Sequence, residues 1–124
     1  MLDADVTIDL LEGREPSTIF LTGLEAAGHD LLVTAVTAAE VVAGTEPWAR
    51  PQVFAALAHF RPVDLTVEMG HKAGEYRWDF ARVGRQLTTA DMLNAGAAHL
   101  LRATLVTRNR RHFPMTDITV LSPT

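Results

Sequence analysis

Strand-length apolar runs alternate with longer helical stretches from one end of this 124-residue sequence to the other. The runs are Met1 to Ala4, Leu31 to Val33, Arg61 to Leu65, Ala103 to Thr107 and Ile118 to Leu121. Between them, helical stretches cover Val6 to Leu11, ended by Gly13, then Pro16 to Ala27, ended by Gly28, and Thr37 to Val42, closed by Gly44. Three more follow, around Val53, Ala56, Leu57 and Phe60, from Thr66 to Arg82, and from Thr89 to Leu101. A strand that returns to its sheet through a helix runs parallel to its neighbour, and such crossovers place helices on both faces. The pattern therefore predicts a three-layer α/β/α fold around a central parallel sheet of four to five short strands. No repeat, low-complexity tract or linker interrupts it, so residues 1–124 are expected to form a single domain.

In parallel sheets ligands bind beyond the carboxyl ends of the strands. Asp3 ends the first run and Asn109 follows the fourth, so both belong at that rim. Glu40 and Asp91 open helices, at the fourth place of Thr37-Ala38-Ala39-Glu40 and of Thr88-Thr89-Ala90-Asp91. Each has an ordinary explanation. Asp3 or Asp5 can cap the first helix, Glu40 and Asp91 fit capping boxes, and Asn109 suits a turn. Taken together, however, the four gather oxygen donors at one rim, which is what a hard divalent cation requires. One ion, or two about 3.5–4 Å apart, can position water for in-line attack on a phosphodiester.

The chain has no cysteine, so any metal must be held by oxygen or imidazole, and Mg²⁺ or Mn²⁺ is the natural candidate. The five histidines show no ligand spacing. A formal net charge of −4 argues against indiscriminate coating of nucleic acid, but the basic residues are unevenly placed. All but Lys72 are arginines, and Arg108, Arg110 and Arg111 flank Asn109, where guanidinium forks can neutralise RNA phosphate. No secretory segment or membrane-length apolar run is visible, which predicts a cytoplasmic protein with no membrane attachment.

Several segments resemble the PIN-domain ribonucleases, in particular the VapC-type toxins of toxin–antitoxin pairs. They are Leu2-Asp3-Ala4-Asp5-Val6 through Leu11, Thr34 to Gly44 around Glu40, Leu87 to Ala98 around Asp91, and Leu105-Val106-Thr107-Arg108-Asn109-Arg110-Arg111-His112-Phe113. The resemblance implies that Asp3, Glu40 and Asp91 are metal-binding carboxylates, with Asn109 completing the catalytic set and Thr107 and Asp5 as accessories. It further implies a Mg²⁺- or Mn²⁺-dependent endoribonuclease of the type II toxin class, a homodimer, an RNA substrate such as tRNA or rRNA, and inhibition by a cognate VapB-type antitoxin. The family often carries Asp where Asn109 stands, and Asn or Ser where Asp5 stands.

Two other readings compete. Asp3-Ala4-Asp5-Val6-Thr7 fits the opening of haloacid-dehalogenase-like phosphatases, which need a downstream Lys and a late acidic pair; the only Lys is Lys72, mid-helix. A receiver-type domain also needs a late Lys. A catalytically inactive, protein-binding fold-mate would keep the acids only as caps. Asp117 reads as a loop residue, and Trp48, Phe54, Phe60, Trp78 and Phe80 as core by default, or else as a groove or dimer face.

Overall fold

The computed structural model describes residues 1–124. Its helices are α1 (Ala4–Glu12), α2 (Ser17–Ala26), α3 (Ala35–Ala43), α4 (Arg50–Leu57), α5 (Val67–Ala81) and α6 (Thr89–Leu101), with short 3₁₀ turns at Pro47–Ala49 and Arg110–His112. The strands are β1 (Leu32–Thr34), β2 (Arg61–Val63), β3 (Leu105–Val106) and β4 (Val120–Leu121). Strands β2, β3 and β4 are shorter than the apolar runs that announce them, β1 is shifted by one residue from its run, and the first run, Met1 to Ala4, survives only as a bridge between Leu2 and Val106.

That first segment nevertheless joins the sheet. Parallel pairs β1·β2 and β3·β4 flank it, with Leu2 N donating to Leu32 O at 2.8 Å on one side and Val106 N to Met1 O at 2.8 Å on the other. The order is β2-β1-(residues 1–3)-β3-β4, with the β1·β2, β3·β4 and Leu2·Val106 pairings all parallel. Side chains of a strand alternate between faces, so neighbours in sequence enter opposite cores. Met1 and Leu105 join Met69, Tyr76, Met92 and Phe113 under α5 and α6. Leu2 and Val106 join Val6, Leu21, Val33 and Phe60 under α1 and α2. The expected three layers are therefore present.

Local chemistry sets the helix ends. Asp3 accepts from Ala4 N at the start of α1, and Gly13 closes that helix in the left-handed region at φ 69°. Thr66 and Thr88 cap α5 and α6 by accepting from Met69 N and Asp91 N. Helix α3 departs from the sequence reading: it begins at Ala35 because Thr34, rather than Thr37, provides the capping oxygen. The aromatic residues divide as well. Phe60 is core, whereas Trp48, Phe54 and Trp78 are 78%, 53% and 64% exposed, which corrects the default core assignment for those three. No helix is long and apolar enough to cross a membrane.

Helices α5 and α6 approach closely at Gly96, where a Cβ would stand 2.5 Å from the backbone oxygen of Met69. Backbone cannot yield as a flexible side chain can. Gly96→Ala should therefore destabilise the protein by about 1–3 kcal/mol, the usual cost of overpacking, read as a lower urea midpoint with an unchanged m-value.

Candidate active site

Three chain segments carry the acids to one rim, and a buried amide holds those segments together. Asn94, in α6 one turn after Asp91, is 1% exposed. Its Nδ2 donates to Thr37 Oγ1 at 3.0 Å, and its Oδ1 accepts from the Thr34 hydroxyl. Thr37 Oγ1 in turn donates to Leu2 O at 2.9 Å. The residues in this network stand beside Asp91, Glu40 and Asp3 in sequence, so the same bonds that satisfy buried polar groups set the spacing of the acids.

Asp3 is 7% exposed. Its Oδ1 accepts from Ala4 N at 2.9 Å and its Oδ2 from Thr107 Oγ1 at 2.8 Å. A carboxylate offers about four lone-pair sites, so Asp3 acts as a helix cap and keeps acceptor capacity. The capping and ligand readings are compatible in this residue. Burial pushes its carboxyl above the ordinary range, opposed by the Thr107 and Ala4 bonds and reinforced by the charge of Asp91.

Asp5 lies beside it. Its Oδ1 accepts from Val6 N at 2.7 Å, and its Oδ2 from Arg108 N at 2.9 Å and Asn109 Nδ2 at 3.3 Å. Burial raises its pKa first and the neighbouring Asp3 charge second. The hydroxyl of Thr107, itself fully buried, also accepts from Asn109 N at 3.0 Å. Asn109 is thus tied at both backbone and side chain to the acid cluster.

Glu40 lies in the second turn of α3, since that helix begins at Ala35, and the capping box expected for it with Thr37 is absent. It is exposed, and its carboxyl is still raised, by partial burial and then by the charges of Asp3, Asp91 and Asp5. Asp91 follows its cap as expected, Thr88 Oγ1 accepting from Asp91 N at 3.1 Å. Its own carboxylate makes no return cap bond and instead faces His112 Nδ1 at 3.3 Å.

The three arginines singled out from the sequence part company. Arg108 turns inward onto Asp9, Nε to Oδ2 at 2.9 Å and a second nitrogen to Oδ1 at 3.4 Å, while Ser17 donates to the same carboxylate at 2.7 Å. Asp9 is 8% exposed at its side chain, so this fork satisfies a buried charge, and Arg108 is corrected from a phosphate ligand to a structural one. Arg110 and Arg111 remain exposed at the rim. Lys72, which a phosphatase would need beside its aspartates, pairs with Asp117 at 3.3 Å and with Glu75 at 3.8 Å. Asp117 also accepts from Tyr76 OH at 2.7 Å, in a cluster that includes none of the rim acids.

No three carboxylate or imidazole groups stand close enough to form a ready-made metal cage. Mg²⁺ does not demand one, because it keeps several waters and needs only one or two carboxylates. The donor set fits such an ion in hardness and charge. Asp3 and Glu40 each feel Asp91 as an unfavourable neighbour, a repulsion that a shared cation would relieve.

Sequence reasoning missed Asn94, Arg85 and His112. The signal for Asn94 was available: an amide flanked by Met92, Leu93, Ala95, Gly96 and Ala97 stands in a buried helix face and needs partners. His112 stands in the closing segment that resembles the family, but its contact with Asp91, like the place of Arg85, arises only through folding.

A model of the PIN domain family matches residues 1–118. Ribonuclease VapC10 of Mycobacterium tuberculosis (strain ATCC 25618 / H37Rv) is 30% identical over 115 residues, spanning 93% of this chain and 86% of the relative. Among solved structures, DNA-bound VapBC from Salmonella typhimurium contains a chain that superposes with a TM-score of 0.85 at 21% identity, covering 100% of this chain and 97% of that one. A chain of VapBC2 from Rickettsia felis, bound to a DNA fragment from its promoter, gives 0.84 at 19% identity over 98% and 96%. At such identities these structures speak to the fold.

Two predictions follow from the geometry. Asn94→Ala leaves the Thr34 and Thr37 hydroxyls short of a buried partner and should cost about 1–3 kcal/mol for each group left unpaired, measured by chemical denaturation. The second concerns charge. A carboxyl whose folded-state pKa is raised adds stability at low pH and loses it as the pH rises through that value. In EDTA, Glu40→Gln should therefore raise the melting temperature at pH 7, with the gain vanishing below the ordinary glutamate value of about 4.3. A variant that melts lower than wild type at pH 7 would contradict the repulsion.

Proposed function

The chain belongs to the PIN domain family, and from that premise we propose that it is a metal-dependent endoribonuclease, the toxin of a toxin–antitoxin pair. The observation that carries the reading is that Asp3, Asp5 and Glu40, from separate segments, have carboxyls raised by burial and then by neighbouring acids, Asp91 among the neighbours of Asp3 and Glu40. Buried structural acids are ordinarily paired with cations, as Asp9 is with Arg108. Asp3, Asp5 and Glu40 form no such ion pair and instead feel the charge of neighbouring carboxylates, an arrangement that costs stability and makes chemical sense when a divalent cation joins them.

In this reading Asp3, Glu40 and Asp91 supply the oxygens that hold Mg²⁺ or Mn²⁺. Such an ion, held by these oxygens, would supply the Lewis acidity that phosphodiester hydrolysis by water requires. Thr107 fixes the Asp3 carboxylate, leaving its remaining lone pairs to the ion. Asn109, held by Thr107 and Asp5, presents an amide where water or substrate is to be oriented. Arg110 and Arg111, exposed beside it, neutralise RNA phosphate. Asn109 contributes no charge, and Asp5, anchored two residues from Asp3, supplies the negative charge that an aspartate at position 109 would bring.

The relative that covers most of this chain is named a ribonuclease, and the structures of like fold are VapBC assemblies. The first supports RNA as substrate and the second a VapB-type antitoxin as partner; a homodimer working in the cytoplasm completes the proposal. The phosphatase alternative loses support because Lys72 lies with Asp117 and away from Asp3.

Purified protein should cleave RNA with Mg²⁺ or Mn²⁺ and not in EDTA. Asp91→Ala should lower the rate by more than the roughly 10–100-fold typical of losing an outer-shell partner. Cleavage that persists in EDTA would sink the metal mechanism, whereas failure to bind Mn²⁺ in a titration would favour the inactive fold-mate.

A further inference from the structure

Asp91 has a second neighbourhood besides the acids. Its carboxylate forms one wall of a cleft of about 280 Å³, otherwise bounded by Arg85, Gln86, Leu87, Thr88, Arg111 and His112. The cleft lies between the turn that leads into α6 and the 3₁₀ turn after β3, the element on which Arg110 and Arg111 stand. It is the cationic complement of the acidic rim: two guanidinium groups and an imidazole meet one carboxylate, in a chain whose net charge is −4.

A polyanionic strand brought to four carboxylates is repelled unless cations flank its path. Arg108 is committed to Asp9 and takes no part. Arg85, by contrast, is exposed and already placed. One of its terminal nitrogens donates to Arg111 O at 2.6 Å, bridging the two turns. Arginine has five donors in a planar fork, so four remain, on a side chain whose freedom is already reduced. Ordering before binding removes part of the entropic cost of association.

We propose that this cleft is a subsite for the RNA phosphate adjacent to the one that is cleaved, with Arg85 as its principal ligand and Arg111 as its second. The assignment rests on the reading of the acidic rim as the reaction centre, since Asp91 belongs to both. Arg85 then fixes which phosphate lies over the carboxylates, so that it positions the strand and leaves the chemistry to the rim.

The test reads binding apart from cleavage. A fluorescent single-stranded oligoribonucleotide is titrated by anisotropy in EDTA, across a salt series, with wild type, Arg85→Ala, Arg85→Lys and, as a remote exposed control, Arg14→Ala. Arg85→Ala should weaken binding and reduce the slope of log K against log salt by about 0.7, the value for one contact to single-stranded nucleic acid. Arg85→Lys should restore most of the slope, because it keeps the charge while losing the fork. Arg14→Ala should match wild type. Inorganic phosphate at matched ionic strength should compete with the probe.

An unchanged slope in Arg85→Ala overturns the proposal. So does an Arg85→Lys variant that behaves like Arg85→Ala, because the bridge to Arg111 would then be the only role of the residue. The nuclease reading is tested separately by cleavage with Mn²⁺. Wild type that cleaves while Arg85→Ala binds normally refutes the subsite alone; Arg85-dependent binding without any cleavage leaves the cleft a phosphate site for RNA but refutes the nuclease reading, and with it the placing of that phosphate next to a cleaved one.

Discussion

One buried amide organises this molecule. Asn94 joins α6 to α3 and β1 through two threonine hydroxyls, and the second of these reaches the backbone of the opening strand. Polar groups so far from water are stable only when paired, and pairing fixes direction as well as energy. Leu2 O, Thr37 and Asn94 each stand within three residues of a rim acid. The acids therefore inherit their arrangement from a network in which they do not take part. Packing alone would place the helices to within the tolerance of apolar contacts; the network fixes them atom to atom.

The acidic rim is held against its own repulsion. Asp3, the cap of α1, and Asp5, in its first turn, sit two residues apart, and desolvation disfavours the charge on each. Backbone N–H groups of Ala4, Val6 and Arg108, together with the Thr107 hydroxyl, offset part of that penalty. Local strain of this kind persists only where the surrounding fold overdetermines it, and such places are commonly functional. Asp9, on the same helix, shows the opposite solution: a guanidinium fork and a serine hydroxyl satisfy it completely. The contrast between neighbouring aspartates of one helix separates a residue that builds the fold from residues available to a ligand.

The alternation of strand-length and helix-length segments carried the architecture, because periodicity is local and survives without knowledge of partners. It also located Asp3, Asp91 and Asn109 at the rim through their places at strand and helix ends. What it misjudged was register. Thr34 and Thr37 are equally good capping residues on paper, and only the pairing of β1 with β2 decides that the helix starts after Thr34. Arg108 was misread for a related reason: its sequence neighbours point to the solvent side of a turn, and its partner Asp9 lies 99 residues away. Side chains whose meaning depends on such distant contacts leave no trace in spacing or composition.

Thr107 suggests how such a molecule tolerates change. Its single oxygen donates to Asp3 and accepts from the amide of Asn109, so the first and last members of the constellation are registered to one atom and not to the length of chain between them. Insertions or deletions in the connecting loops, around Thr45 or Gly84, leave that registration intact. Replacement of one small hydroxyl residue at the end of β3 does not. The design is modular in its loops and rigid at a single point.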